Sequence, residues 1–502
     1  MLDEGLRVGP IRNVVIVGGG TSGWMSAAAL ARRTVRARVS VTLIECGESD
    51  AGGVEETTLP SIRTFHELLG LDEDDWVRHT DGTFKLGIEL VDWRARGSRY
   101  LHCFGQYGAP LQGIPFHQLW LKLRHQGESS VGELSDYNLC SVAARLNRFT
   151  RSEAGPEAQL ASLNYAFHFD AGLYAGYLRQ YAEAQGVRRL EGRIVEVRLR
   201  PGDGFITELV LQDGRTVQGE LFLDCSGLRG LLIAQILKVG FRDWKHWLPC
   251  DRAVTVSCEG STPVLPYTRA TADVAGWRWR TPLRSRTKNG YVYCSDFISD
   301  VVAQARLLCQ LDGAASADVH PLKFTAGHRW RFWERNCVAI GLAGGFLEPL
   351  ESTGIHLVQA GIERLLACFP DRGFHKLVSQ AYNRYMTDQY RRIRDLLILH
   401  YRITERRDTP FWQHSREMRI PASLQQKIDL FRATGTVLPD PGDLFSQHSW
   451  IAVMLGQGVR PAGYDALADS LSVETVRQFV RHSGHVTAQA ALAMLEHGDG
   501  YS

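Results

Sequence analysis

Apolar positions along this chain fall into a few distinct rhythms. Asn13–Val17 (NVVIV) is an unbroken, β-branched run, the pattern of a strand buried on both faces. The stretch after it, TSGWMSAAALARR, is rich in helix formers and predicts a helix, and residues 39–44 (VSVTLI) predict a second buried strand ending at Glu45. Residues 189–199 and 206–211 alternate apolar and polar positions around Pro201-Gly202-Asp203-Gly204, which predicts antiparallel hairpin strands. Residues 220–225 (ELFLDC) then predict another buried strand, running into Ser226-Gly227. Residues 84–91 read as one strand carrying Lys85, inside a region (52–130) of mixed loops and helix, and residues 151–159 read as a polar loop. A helix is predicted over residues 355–368, with Ile355, Leu357, Val358, Ile362, Leu365 and Leu366 apolar. From Pro370 onward the pattern is helical and more polar, so residues 371–502 are expected to form a helical C-terminal region beside a module of residues 1–370.

Between the first strand and its helix lie Gly18, Gly20 and Gly23 in the spacing G-x-G-x-x-G. One such glycine makes the turn, one lets a diphosphate approach the backbone, and one packs helix against strand, while an acidic residue after the next strand (here Glu45) takes the ribose hydroxyls. The nucleotide could be NAD or FAD. A Rossmann start interrupted by a β-meander, with a strand then returning to the nucleotide site, favours FAD. No second G-x-G-x-x-G follows a strand, so no separate NAD(P)H domain is expected. The fold class is therefore α/β: a Rossmann-like, three-layer FAD-binding domain of the flavin monooxygenase type, with a β-sheet substrate region and the helical C-terminal region.

Residues 340–357 (IGLAGGFLEPLESTGIHL) carry a second concentration of chemistry. Gly341, Ala343, Gly344 and Gly345 permit a close approach to the backbone, and Pro349 fixes a bend. Ser352 or Thr353 ahead of free amides at a helix start would make an anion site. Glu351 beside it would then need a cation opposite; the alternative is a capped helix with a surface glutamate. Taken alone, Lys85 reads as a solvated surface lysine, and His102 and Phe104 as one face of a core strand. Trp277 and Trp279 share one side of an extended segment, as core filling or as the wall of a channel.

Composition narrows the class. Lys+Arg 57 against Asp+Glu 55 gives a formal net charge of +2, so no electrostatic case exists for nucleic acid or an acidic membrane. Ten scattered cysteines without a C-x-x-C pair point to reduced thiols in a cytoplasmic protein. MLDEGLRVGP has no apolar core of a signal peptide, and no run reaches the roughly 20 residues of a membrane span. His482 and His485 are too isolated to suggest a metal site.

GGGTSGW at 18–24, FKLGI around Lys85, the WRWRTP run ending at Pro282 and FLEPLESTGI at 346–355 together resemble the flavin-dependent tryptophan halogenases. Shorter similarities add FHFDAGL at 167–173, LFLDCSGLRGLLI at 221–233 and DTPFW at 408–412. The family's Trp-x-Trp-x-Ile-Pro signature has Thr281 at its Ile position, and its G-V-G-E-A-T loop appears as Gly53-Val54-Glu55-Glu56-Thr57-Thr58.

This resemblance implies an enzyme that uses reduced FAD, oxygen and chloride or bromide to make hypohalous acid, which crosses a tunnel to Lys85. It implies cofactor contacts at Gly18, Gly20, Thr21, Ser22, Gly23, Glu45, Ile194, Leu342 and Ile355, and halide held at Thr353 and Gly354. Lys85 and Glu351 are the implied catalytic pair, Glu351 taking the proton lost by the arene. Trp277, Trp279 and Pro282 are the implied tunnel wall. His102, Phe104, Ser352 and Phe445 are the implied substrate contacts. A separate NAD(P)H-dependent flavin reductase is the implied partner, and related enzymes often pair as homodimers. Tryptophan halogenases clamp the amino acid's two charges with a tyrosine pair and a glutamate. The corresponding segment here, RATGTVLPDPGDLF (432–445), has neither residue type. The expected substrate is therefore indole or another neutral electron-rich arene, or a carrier-held one, ahead of free tryptophan. The alternatives are an FAD-dependent aromatic hydroxylase and a non-catalytic FAD-binding protein.

Overall fold

Asn13–Val17 is an inner strand of a six-stranded sheet in the computed structural model, which describes residues 9–34, 39–47, 56–151, 163–260 and 263–498. The strand order is Trp333–Glu334, Cys337–Ala339, Leu221–Asp224, Asn13–Val17, Ser40–Glu45, Arg188–Glu191. All pairings are parallel except that of the edge strand Trp333–Glu334. Burial on both faces explains why these strands read as continuous apolar runs. Against one side packs the Ala-rich helix Thr21–Thr34, in contact with Ala171–Ala184 and Gly354–Ala367. Val15, Val17 and Ile44 face the other way, into a core shared with Ile206, Leu209, Leu211 and Val217 of a three-stranded antiparallel meander. Helices, parallel sheet and meander make the three layers of an α/β nucleotide-binding fold.

The chain divides into two units by internal contact. The first comprises Met1–Gly82, Phe169–Lys245 and Phe324–Arg391, and holds the parallel sheet. The second comprises Thr83–His168, His246–Lys323 and Arg392–Ser502. It contains a seven-stranded sheet in which Gly276–Pro282 lies between Arg286–Tyr293 and Tyr267–Asp273, followed by Gly87–Val91 and Arg99–Cys103. The 27-residue helix Lys376–Arg402 runs on from the first unit into the second. No helix among the described residues is long and apolar enough to cross a membrane.

Two expected strands divide. Residues 189–199 split at Gly192: Arg188–Glu191 joins the parallel sheet as its edge, and only Ile194–Leu199 enters the meander. Apolar alternation continues across the break, so periodicity alone could not see it. Residues 84–91 likewise split at Leu86. Thr83–Lys85 pairs with Ala166–His168 in a two-stranded ribbon, whereas Gly87–Val91 belongs to the seven-stranded sheet. At Gly87 the neighbouring strand comes so close that a Cβ would sit 2.5 Å from the Cys103 Cα. Residues 152–159 of the expected polar loop lie outside the described residues, as do residues 1–8 and 53–55.

Candidate active site

At the nucleotide end each glycine of the fingerprint has a different reason to be glycine. Gly18 has φ +116°, and a Cβ there would meet the Cys225 carbonyl oxygen at 2.2 Å. A Cβ on Gly23 would lie 1.8 Å from the Gly18 carbonyl oxygen, so the helix could not pack as it does with any side chain there. Gly20 is exposed, with nothing within 4 Å of its Cβ position. The first turn of the helix closes with the Trp24 amide donating to the Gly20 carbonyl, which leaves the amides of Thr21, Ser22 and Gly23 outside the helix ladder. Glu45 ends the next strand. It accepts from Arg189 Nε and, at 3.3 Å, from Trp24 Nε1, and its carboxylate lies against the backbone of Gly19. An open glycine, unspent amides at a helix N-terminus and a carboxylate across the turn suit a diphosphate and a ribose.

Asp224 carries a structural role that the sequence did not announce. It is fully buried at the end of Leu221–Asp224 and accepts from the Ser226 amide and hydroxyl and from the Leu232 and Ile233 amides. Burial raises its pKa while these donors oppose the rise. The cluster fixes the loop that turns away from the glycine fingerprint. Ile194 begins its meander strand half-buried, and half-buried Leu342 lies in the single turn Gly341–Ala343.

The small residues of 341–345 are filled by the protein itself. A Cβ on Gly341 (φ +67°) would reach the Ser22 Cβ at 2.8 Å, one on Gly344 the Phe332 ring at 2.8 Å, and one on Gly345 the Gly327 carbonyl at 2.6 Å. Beyond them Glu348 and Glu351 are both buried, and Ser352 takes the left-handed conformation at φ +58°. The side-chain cap of the alternative reading is absent. Ser352 Oγ accepts from the Thr57 hydroxyl, and Thr353, the residue before Gly354–Ala367, sits at φ −91°, ψ −9°. That is helical backbone, whereas a capping residue is normally extended. The Thr353 hydroxyl is buried without a hydrogen-bond partner among the described residues. The helix thus begins with uncapped amides at half-buried Gly354 and at Ile355, itself 1% exposed.

In the second unit Lys85 is 0% exposed, which removes the solvated-surface reading. A buried ammonium is tolerated only with compensating partners, and Nζ lies 5.7 Å from the centre of the Phe104 ring. His102 is buried and faces Phe445 with ring centres 6.3 Å apart. Phe104 falls one residue beyond the strand Arg99–Cys103, and its amide bonds the Leu86 carbonyl at 2.9 Å. Trp277 and Trp279 do share a face of Gly276–Pro282, buried, with ring centres 5.9 Å apart. Sequence reasoning gave no role to His168. It lies opposite Thr83 in the ribbon, at hydrogen-bond distance from Thr83 and Thr268.

Known proteins resemble this chain over nearly its whole length. The tryptophan halogenase family model matches residues 13–473. The tryptophan 6-halogenase SttH of Streptomyces toxytricini is 35% identical over 494 residues, covering 92% of each chain. Among solved structures, the flavin-dependent halogenase Xcc4156 from Xanthomonas campestris superposes with TM-score 0.94 at 43% identity. BrvH, a flavin-dependent halogenase from Brevundimonas sp. BAL3, does so with 0.93 at 43%; in both cases 98% of each chain is covered. The chain belongs to the tryptophan halogenase family and is an FADH2-dependent halogenase.

Proposed function

We propose that this enzyme halogenates a neutral electron-rich arene, indole or an indole derivative, in preference to free tryptophan. The supporting observation is the state of charge in residues 432–445. Each charged side chain there already has a neighbour: Arg432 with Asp429 at 3.7 Å, Asp440 with Lys427 at 3.8 Å, and Asp443 with Lys427 at 3.6 Å and Arg392 at 3.2 Å. Binding a free amino acid against this segment would bury an ammonium and a carboxylate with little to compensate them.

When bound, reduced FAD supplies hypohalous acid from oxygen and halide. The amides at Gly354 and Ile355, with the Thr353 hydroxyl, hold chloride or bromide by the same donors. Trp277, Trp279 and Pro282 wall the passage and keep the arene from the cofactor. Lys85 donates a hydrogen bond to the hypohalous acid and polarises it toward halogen transfer. Glu351 accepts the proton that the ring releases. His102, Phe104 and Phe445 stack on the ring, and Ser352 is a further substrate-binding residue. A separate NAD(P)H-dependent reductase delivers the reduced flavin. Ten cysteines with no disulfide among the described residues fit a cytoplasmic enzyme.

Supplying FAD, a flavin reductase, NADH, oxygen and bromide with indole and L-tryptophan in competition tests the reading. Brominated indole should exceed brominated tryptophan by about tenfold or more, the magnitude expected when a site lacks partners for substrate charges. Tight calorimetric binding of L-tryptophan with preferential bromination of it would overturn the substrate assignment. Product formed without halide would overturn the chemistry.

A further inference from the structure

Lys85 ends a strand of three residues, Thr83–Lys85, whose one strand partner among the described residues, Ala166–His168, is equally short. So small a ribbon carries few ladder hydrogen bonds, and alone it would fix a long side chain loosely. Directly opposed residues of an antiparallel pair share a face, which puts Thr83 and Lys85 beside His168 and Ala166. Ala166, opposite Lys85, leaves room for the lysine stem.

A line of buried polar groups crosses that face. Thr83 Oγ1 donates to the Pro282 carbonyl at 2.8 Å and lies 2.9 Å from His168 Nδ1. His168 Nε2 lies 2.9 Å from Thr268 Oγ1. The proton positions follow by elimination. A carbonyl can only accept, so the one Thr83 hydroxyl proton goes to Pro282, and the Thr83 oxygen must accept from Nδ1–H. Complete burial and the neighbouring Lys85 charge keep the imidazole neutral, so Nε2 is a lone pair and Thr268 must donate to it. Every group is satisfied in one direction only: Thr268 to His168 to Thr83 to Pro282. The line begins on Tyr267–Asp273 and ends on Gly276–Pro282, the strand of Trp277 and Trp279. On the other face, His497 Nε2 lies 3.2 Å from the Phe84 carbonyl and the Phe84 ring stacks on Phe149 at 4.2 Å.

We infer that this directional line is the device that positions Lys85, with Thr83, His168 and Thr268 as positioning residues for halogen transfer. It locks the lysine strand to the seven-stranded sheet at the strand that bears the tandem tryptophans, so the ammonium and the wall of the passage keep one register. The inference rests on the role given to Lys85 above.

The test uses the full chain, reduced FAD, oxygen and bromide, with indole bromination and hypobromite captured by monochlorodimedone read in parallel. Thr83→Val keeps shape, removes the bond to Pro282 and strands the Nδ1 proton. It should lower indole bromination by about tenfold to a hundredfold, the range expected for an ångström-scale misplacement, while captured hypobromite stays level or rises. Thr83→Ser should restore bromination. Should Thr83→Val fold poorly, Thr268→Val breaks the opposite end and carries the same expectation. Wild-type bromination in both valine variants, or a fall of bromination and hypobromite together that serine does not rescue, overturns the inference. Lys85→Ala separates the two levels. If it still brominates indole, the role given to Lys85 fails; if it does not while the valine variants remain wild-type, the positioning role alone fails.

Discussion

Thr281 shows what a single residue can conceal. It lies two positions from Trp279 on the same face of its strand, and Trp279 pairs across to Gly290, which pairs in turn with Thr255. The Trp279 ring covers Gly290, whose Cβ would fall 2.0 Å from it. Thr281 and Thr255 are 1% and 2% exposed, and neither hydroxyl has a hydrogen-bond partner among the described residues. An unsatisfied buried hydroxyl costs about 1–3 kcal/mol. Thr281→Val should therefore raise stability by about 1 kcal/mol, seen as a higher denaturation midpoint at unchanged slope. A lower midpoint would mean that the hydroxyl is satisfied by solvent. At this scale the sequence was hard to read. Lys85 looked like a surface lysine because burial is a property of what surrounds it, and only the motif resemblance pointed inward. His168 was invisible as a positioning group because its two partners, at 83 and 268, are remote in sequence.

Whole elements were far more legible. Asn13–Val17 and the helix after Gly20 fall where the apolar run and the fingerprint put them, and Gly354–Ala367 lies within one residue of its expected bounds. The failures are informative because each occurs where one apolar rhythm spans two sheets. At Gly192 and at Leu86 the chain changes sheet without changing its pattern, and tertiary pairing is the only signal. The fingerprint also yields a sharp expectation. Gly23→Ala places a methyl 1.8 Å from the Gly18 carbonyl oxygen, a backbone atom that cannot swing aside. The helix must then lift from the strand at a cost of about 1–3 kcal/mol or more, dragging the amides of Thr21 and Ser22 with it. FAD titration followed by flavin absorbance should show binding lost or weakened by about tenfold or more, on the conversion of 1.4 kcal/mol per decade. Unchanged affinity would show that the helix start does not hold the cofactor.

For the molecule as a whole, the buried imidazoles set the response to acid. Burial lowers the pKa of His66 to about 3 and those of His117, His356 and His497 to about 4, from an ordinary value of 6.5. An unfolded chain would protonate these rings near pH 6.5 while the folded chain still refuses the proton. The unfolded state then binds more protons, so stability is full above that pH and falls as pH drops toward 4. Each ring contributes up to about 1.4 kcal/mol per pH unit across that window. Urea unfolding at about pH 7.5 and about pH 5.5 should show a clear loss at the lower value, reduced in His66→Gln if glutamine is accommodated beside Tyr174. Equal stability at both would mean that the rings are already charged.

Each unit is also stitched from three separated stretches of chain, and this bears on how the protein is born. Leu221–Asp224 finds Asn13–Val17 already made, but its opposite edge stays bare until Cys337–Ala339 has been synthesised. At roughly 5–20 residues per second, that leaves an apolar β-edge open on the nascent chain for on the order of ten seconds. Yield in a heterologous host should then hinge on chaperone supply and slow, cool expression more than on the stability of the finished enzyme.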